Sequence, residues 1–283
     1  SWAGYVLMST VAKKMMMGIA SGSSTKTIVN SISFDKASAE VISKQFSGVA
    51  DSRKKWTASI WYKIGSNGYN EFLGSTSNVA SGNSQDGFYF YDNYLRYASY
   101  DYSGGGVNAQ LITNTNSTLF GTNGDWHHLH MLWDTTQATA SNRAKIYIDG
   151  TQITGFSTET YPALNYDGFF LTTQSSSSKF TGGRNLTSYV GNAYYGTDTT
   201  SYGMDGLLAD VNVVDGLALP VDTFAEDVGG TWTPKVYSGS YGSNGFNLNM
   251  ADGAFGTDSS GNGNNFASTN ISSADVSTDV PPA

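Results

Sequence analysis

Gly124-Asp-Trp-His-His-Leu-His-Met-Leu-Trp-Asp134, followed by Arg143-Ala-Lys-Ile-Tyr-Ile-Asp-Gly150, is the stretch on which the reading of the fold turns. Both runs alternate large apolar and polar side chains with a period of two, the pattern of a strand half-buried in a sheet. Asp149-Gly150 then supplies a tight hairpin turn, because such turns need positive φ and glycine accepts it without a Cβ clash. Two neighbouring antiparallel strands are thereby specified.

Outward from this pair the chain reads as short strands between Gly, Asn, Asp and Ser turns. The pattern predicts strands at Thr27 to Phe34, Glu40 to Phe46, Trp56 to Ile64, Glu71 to Gly74, Phe88 to Tyr91 and Tyr94 to Tyr100. Further strands are predicted at His127 to Trp133, Lys145 to Ile148, Phe169 to Thr172, Tyr189 to Gly191, Gly206 to Val214 and Phe246 to Met250. Only Leu219 to Glu226 reads as helical, with proline at an early position. Thr154 to Gly203 reads mainly as loop, and no repeat at a fixed period suggests a propeller or solenoid.

Composition agrees with an all-β class. The 283 residues include 33 Gly, and the 18 Tyr, 14 Phe and 6 Trp are enough to fill a core and still leave rings for loops. A sandwich of this length is commonly one unit. The formal net charge of −8 argues against a nucleic-acid partner, since phosphate binding needs clustered Lys and Arg. Lys13-Lys14 and Arg53-Lys54-Lys55 are the only basic runs, and both read as solvated surface. Absence of cysteine excludes disulfides and thiolate metal sites. No run approaches the roughly 20 apolar residues that a membrane span requires.

Residues 1–26 form a Met-rich segment that ends in linker composition, Ser21-Gly-Ser-Ser-Thr25. It mimics a signal peptide, but its apolar part is too short, so it reads as a retained arm for docking or oligomerisation, with a disordered terminus as the alternative. Residues 27–283 then make one sandwich that includes the C-terminal strand and tail, with Asp279 to Ala283 in linker composition.

The strand Asp125 to Asp134 and the hairpin "KIYIDGTQI" resemble corresponding strands of laminin-G-like domains in the concanavalin A-like lectin/glucanase superfamily. Ser31 to Ile42, Lys54 to Gly65 and Met204 to Leu219 extend the likeness over most of residues 31–225. The wording is most similar to structural and tail-fibre proteins of marine bacteriophages, where "TTQATASNR" (Thr135 to Arg143) and "GTDSSGNGNNF" (Gly256 to Phe266) also recur. The resemblance implies a concanavalin A-like antiparallel β-sandwich jelly roll. It also implies a virion surface location outside cells, other virion proteins as partners of the arm, and a homo-oligomer. In many such domains the motif around Asp258-Ser-Ser-Gly-Asn-Gly-Asn264 opens the domain. Here it lies at the end of the sequence, so it either begins a second, truncated copy or marks a circularly shifted strand order; the shift is the favoured reading, since first and last strands of such sandwiches lie side by side in one sheet.

Four kinds of chemistry could reside on such a sandwich. Alternation puts His128 and His130 on one face and His127 on the other, so the three cannot converge on a metal from this strand. Glycosidases need two nearby carboxyls, and Glu40, Glu71, Glu159 and Glu226 form no such motif; Asp210 and Asp215 read as solvated. Calcium is the cofactor the resemblance allows, with Asp258, Asn262 and Asn264 presenting oxygens from one turn, although these residue types also build ordinary turns. Sugar binding needs flat aromatic faces beside planar polar groups. Tyr97, Tyr100 and Tyr102 with Asp101 form one candidate cluster, and Tyr194, Tyr195 and Tyr202 with Asn192 and Asp198 form the other. Subunit contacts have the same composition. The function expected is a non-catalytic virion surface protein that recognises a host glycan, the alternative being a purely structural capsid or fibre subunit.

Overall fold

The computed structural model describes residues 25–66, 68–77, 85–91, 94–101, 106–114, 124–168, 170–172, 186–192, 202–251 and 253–283. In chain order its strands are β1 (Ser31–Phe34), β2 (Val41–Lys44), β3 (Lys55–Ile64), β4 (Asn70–Ser77), β5 (Gln85–Tyr91), β6 (Tyr94–Asp101), β7 (Gly106–Thr113), β8 (His127–Asp134) and β9 (Ala144–Ile148). They continue with β10 (Thr151–Gln152), β11 (Phe156–Thr160), β12 (Leu186–Val190), β13 (Gly206–Asp215), β14 (Ala225–Val228), β15 (Thr231–Pro234), β16 (Phe246–Leu248), β17 (Ala267–Thr269) and β18 (Val276–Ser277).

Two antiparallel sheets face one another. The first runs β10-β9-β8-β3-β13-β1-β18, and β16 also pairs with β13; the second runs β11-β7-β6-β5-β4-β12-β2-β17. Between them lies one continuous core, built by alternation. Trp56, Ala58, Ile60, Tyr62 and Ile64 of β3 point inward, as do Leu129, Met131 and Trp133 of β8. Trp56 and Trp133 are register partners whose rings stack at 5.5 Å between centroids. Truncating a ring of that size in a packed core costs about 3–5 kcal/mol.

Asp149 and Gly150 make the β9–β10 turn with φ of 46° and 78°. Asp149 also accepts from the His128 backbone N–H through Oδ1 at 2.7 Å, which fastens this turn to the start of β8. A Cβ at Gly150 would lie 2.8 Å from the Trp232 ring, so glycine is required there by contact as well as by conformation.

The C-terminal strand belongs to the same core. β16 occupies the part of β13 beyond β1: Ile32 to Phe34 pair with Gly206 to Leu208, while Phe246 to Leu248 pair with Val211 to Val213. A bulge between Ala209 and Asn212, with Asp210 at φ 44°, separates the two stretches. Phe246 and Leu248 are fully buried.

Several sequence expectations need correction. Leu219 to Glu226 holds only a 3-10 turn at Val221–Thr223, because proline starts a turn that β14 at once ends. Of the strand expected at Phe169 to Thr172, the described residues Phe170 to Thr172 form no strand; Phe170 packs on Trp56 in the core and its N–H donates to Asp86. The stretch read mainly as loop, 154–203, also contains β11, whose polar residues weaken the apolar signal, and β12, which begins earlier than the strand expected at Tyr189 to Gly191. Of the N-terminal arm, residues 1–24 lie outside the described residues. Its last two are tied to the chain's own sandwich: Thr25 bridges Lys235, and Lys26 pairs with Asp210. Asp279 is no free linker either, since its carboxylate accepts from Lys63 and from the Trp126 indole.

Candidate functional site

The outward face of the first sheet is closed. The hairpin β14–β15 lies over it, and Trp232 Nε1 donates to His128 Nδ1 at 3.0 Å. An indole N–H can only donate, so His128 carries its proton on Nε2, which faces Ser59 Oγ at 2.8 Å. His130 sits beside it with Nε2 at 3.1 Å from the Leu219 carbonyl. Burial holds the His128 ring well below the usual histidine range, and the neighbouring His130 adds to this. Burial lowers His130 to about 4. These are neutral structural histidines.

Asp210 and Asp215, expected to be solvated, are buried at 2% and 1% exposure. Asp210 accepts from Lys26 and from Asn247 Nδ2; Asp215 accepts from the backbone N–H groups of Asp51, Ser52 and Asn244. Burial raises the Asp215 carboxyl, against the pull of those three donors. Both aspartates fasten loops onto the sandwich.

The turn proposed for calcium is closed by its own hydrogen bonds. Asp258 Oδ1 accepts from the N–H groups of Asn247 and Ser260, and Oδ2 accepts from Ser260 Oγ and the Asn264 N–H. Asn262 and Asn264 turn their amide nitrogens toward carbonyls of Gly242, Ser243 and Gly245. A calcium ion needs those carboxylate lone pairs free and oxygens converging on it, so Asp258, Asn262 and Asn264 do not fit one. Among the described residues no cluster of three or more His, Asp or Glu is placed to hold a metal.

The outward face of the second sheet is different. On β5 and β6 the residues Phe88, Phe90, Leu95 and Tyr97 point into the core, so Tyr89, Tyr91, Arg96 and Tyr100 point out. Tyr97, a predicted sugar contact, is therefore a core ring packed on Trp56, Phe88 and Trp133. Register places Glu71, Tyr89 and Arg96 in one row across β4, β5 and β6, and Gly74, Gly87 and Ala98 in the next. Tyr69 stacks on Tyr89 at 4.8 Å and 8°, leans on Tyr91 at 5.8 Å, and receives Tyr202 edge-on at 4.9 Å. The Arg96 guanidinium lies 5.0 Å from the centre of the Tyr91 ring.

Beneath these rings sits Glu71. It is 1% exposed, and its Oε2 has no hydrogen-bond partner. Its Oε1 lies over the two glycines: a Cβ at Gly74 or Gly87 would come within 2.6 or 2.5 Å of it. Glycine in a strand interior is unfavourable, and this pair leaves the space the carboxyl fills. Burial pushes the Glu71 carboxyl well above the usual carboxylate range, opposed only by a hydrogen bond to Tyr69. An outward-facing position that carries a buried carboxyl with one oxygen unpartnered, beside two strand glycines, conflicts with stability at three points. Such conflicts cluster at functional sites.

Of the remaining predicted contacts, Tyr100 is half-buried on this face with Gln110 donating to its hydroxyl. Tyr202 belongs to the tyrosine cluster. Asn192 is fully buried, and its amide donates to the Glu40 carbonyl, which makes it a structural residue. Tyr102, Tyr194, Tyr195 and Asp198 lie outside the described residues; Asp101 ends β6. Sequence reasoning missed Tyr69, Glu71, Tyr89, Tyr91 and Arg96. The signal was available in Phe88-Tyr-Phe-Tyr91, where strict alternation sends both tyrosines to the face opposite the phenylalanines.

No family model matches the chain, and no curated protein matches it. Solved structures do. A protein from Bacteroides ovatus assigned to carbohydrate binding is 14% identical with a TM-score of 0.51, and the match covers 91% of this chain and 62% of that one. The chain thus spans less than two thirds of that protein. A heptameric SAP-like pentraxin from Limulus polyphemus is 16% identical, with a TM-score of 0.44, covering 69% of this chain and 79% of the pentraxin. Domains LG4-5 of the mouse laminin alpha1 chain are 12% identical, with a TM-score of 0.42, covering 74% and 47%. At such identities the likeness is one of fold alone, and the fold is an antiparallel β-sandwich.

Proposed function

We propose that this chain is a non-catalytic carbohydrate-binding module on a virion surface, and that it holds a host glycan on the outward face of its second sheet. The observation that carries the binding role is the cluster of Tyr69, Tyr89, Tyr91 and Tyr202 with Arg96 on one sheet face. Flat rings beside planar polar groups suit a pyranose, whose C–H face lies on the ring while its hydroxyls reach the polar edges. The Bacteroides ovatus protein assigned to carbohydrate binding shares the fold. Glycoside hydrolysis is disfavoured, because the register partners that flank Glu71 across the sheet are Tyr89 and Arg96, and neither supplies a second carboxyl. The virion location, the homo-oligomer and the arm's attachment to other virion proteins rest on the sequence resemblance.

A glycan array probed with the whole chain tests the binding role. Tyr91, 39% exposed, is the ring whose removal disturbs the core least. Binding by the wild type is expected to fall about tenfold or more in Tyr91→Ala, the loss of one stacking ring, with the melting temperature nearly unchanged. Silence of the wild type across the array favours the purely structural subunit.

A further inference from the structure

Arg96 is a guanidinium that meets no counter-charge among the described residues, although the chain carries a formal net charge of −8. Its Nε–H is buried without a hydrogen-bond partner. The group is nonetheless held in place, by the Tyr91 ring beneath it and by a hydrogen bond with the Tyr89 hydroxyl. A buried guanidinium donor left unpaired costs more than a neutral one. A planar donor fork so held fits the oxygens of a carboxylate or sulfate.

The carboxyl next in the same row does not compensate it. Glu71 lies across Tyr89 from Arg96, two strand spacings or about 10 Å away. Its Oε1 is folded over Gly74 and Gly87, beneath the buried Tyr89 ring and away from the exposed Tyr91. Burial favours its uncharged form, with Tyr69 and Tyr89 as the titratable groups beside it and Arg96 as the charged one. Among the described residues the face therefore carries one positive charge with no ion-pair partner, framed by tyrosines.

Resting on the glycan reading above, we infer that the ligand is an acidic sugar chain, and that Arg96 selects it by pairing with a carboxylate or sulfate while the tyrosines carry the ring. The test is a glycan array in which neutral chains stand beside their carboxylated and sulfated counterparts, probed with the whole wild-type chain and with Arg96→Gln. Acidic members are expected to bind about tenfold or more above their neutral counterparts. Arg96→Gln should erase that difference, and added salt should weaken only the acidic members. The pattern of carboxylated against sulfated hits separates the two sources of charge. Equal binding of neutral and acidic counterparts, or a preference untouched in Arg96→Gln, overturns the inference and leaves glycan binding standing. Absence of any hit overturns both.

Discussion

Asp258→Ala is expected to cost about 3–5 kcal/mol of folding stability, because one carboxylate at 8% exposure serves four donors. One of them is the Asn247 N–H in the middle of β16, and Leu248 bridges Asp258 directly. Removing the carboxylate leaves three backbone N–H groups without their partner and loosens the turn that fastens β16 to residues 256–266. Urea unfolding measures the loss. Chelation is expected to leave the melting temperature of the wild type unchanged. A melting temperature that falls on chelation, with no further loss in Asp258→Ala, would restore a bound cation to this turn.

Acid is expected to weaken the fold through the two buried histidines of β8, His128 and His130. Both are held neutral, so below the ordinary value of 6.5 the unfolded chain binds protons that the folded chain refuses. Their contribution is whole above pH 6.5 and is lost as pH falls toward 4, at a cost of about 3 kcal/mol for His130 alone. Glu71 acts in the opposite sense. Its raised carboxyl adds stability at low pH that is lost as pH rises above 4.5, and Glu40 and Asp215 are shifted the same way. The wild-type slope therefore understates the histidines. Unfolding free energies between pH 4 and 7 should fall less steeply on acidification in His130→Gln and more steeply in Glu71→Gln. The latter variant should also exceed the wild type in stability at neutral pH. Parallel profiles for all three would show that neither group is held as described.

Much of the fold was legible because its signals are local. In β3, β8 and β9 the alternation lies within one strand, and the turn at Asp149-Gly150 follows from two adjacent residues. The candidate site was legible only in part, because it is assembled across strands. Tyr97, Tyr100 and Tyr102 read as one aromatic cluster, yet a spacing of three sends Tyr97 to the opposite face from Tyr100, into the core with Leu95. Glu71 offered no signal of its own. Its position over Gly74 and Gly87 depends on the register between β4 and β5, which shifts at a bulge between Glu71 and Leu73. Asp210 and Asp215 were misread for a similar reason: the donors that bury them come from residues far away in the chain.

The claim that a glycan lies on the outward face of the second sheet is tested most directly by titrating a bound glycan into the chain with isotope-labelled tyrosine side chains and following each ring by NMR. The rings of Tyr69, Tyr89, Tyr91 and Tyr202 are expected to shift together, while Tyr62 and Tyr97, sealed in the core, stay still. Shifts confined to Tyr237 and Tyr241, at the far side of the first sheet, with the four outward rings unmoved, would contradict the account.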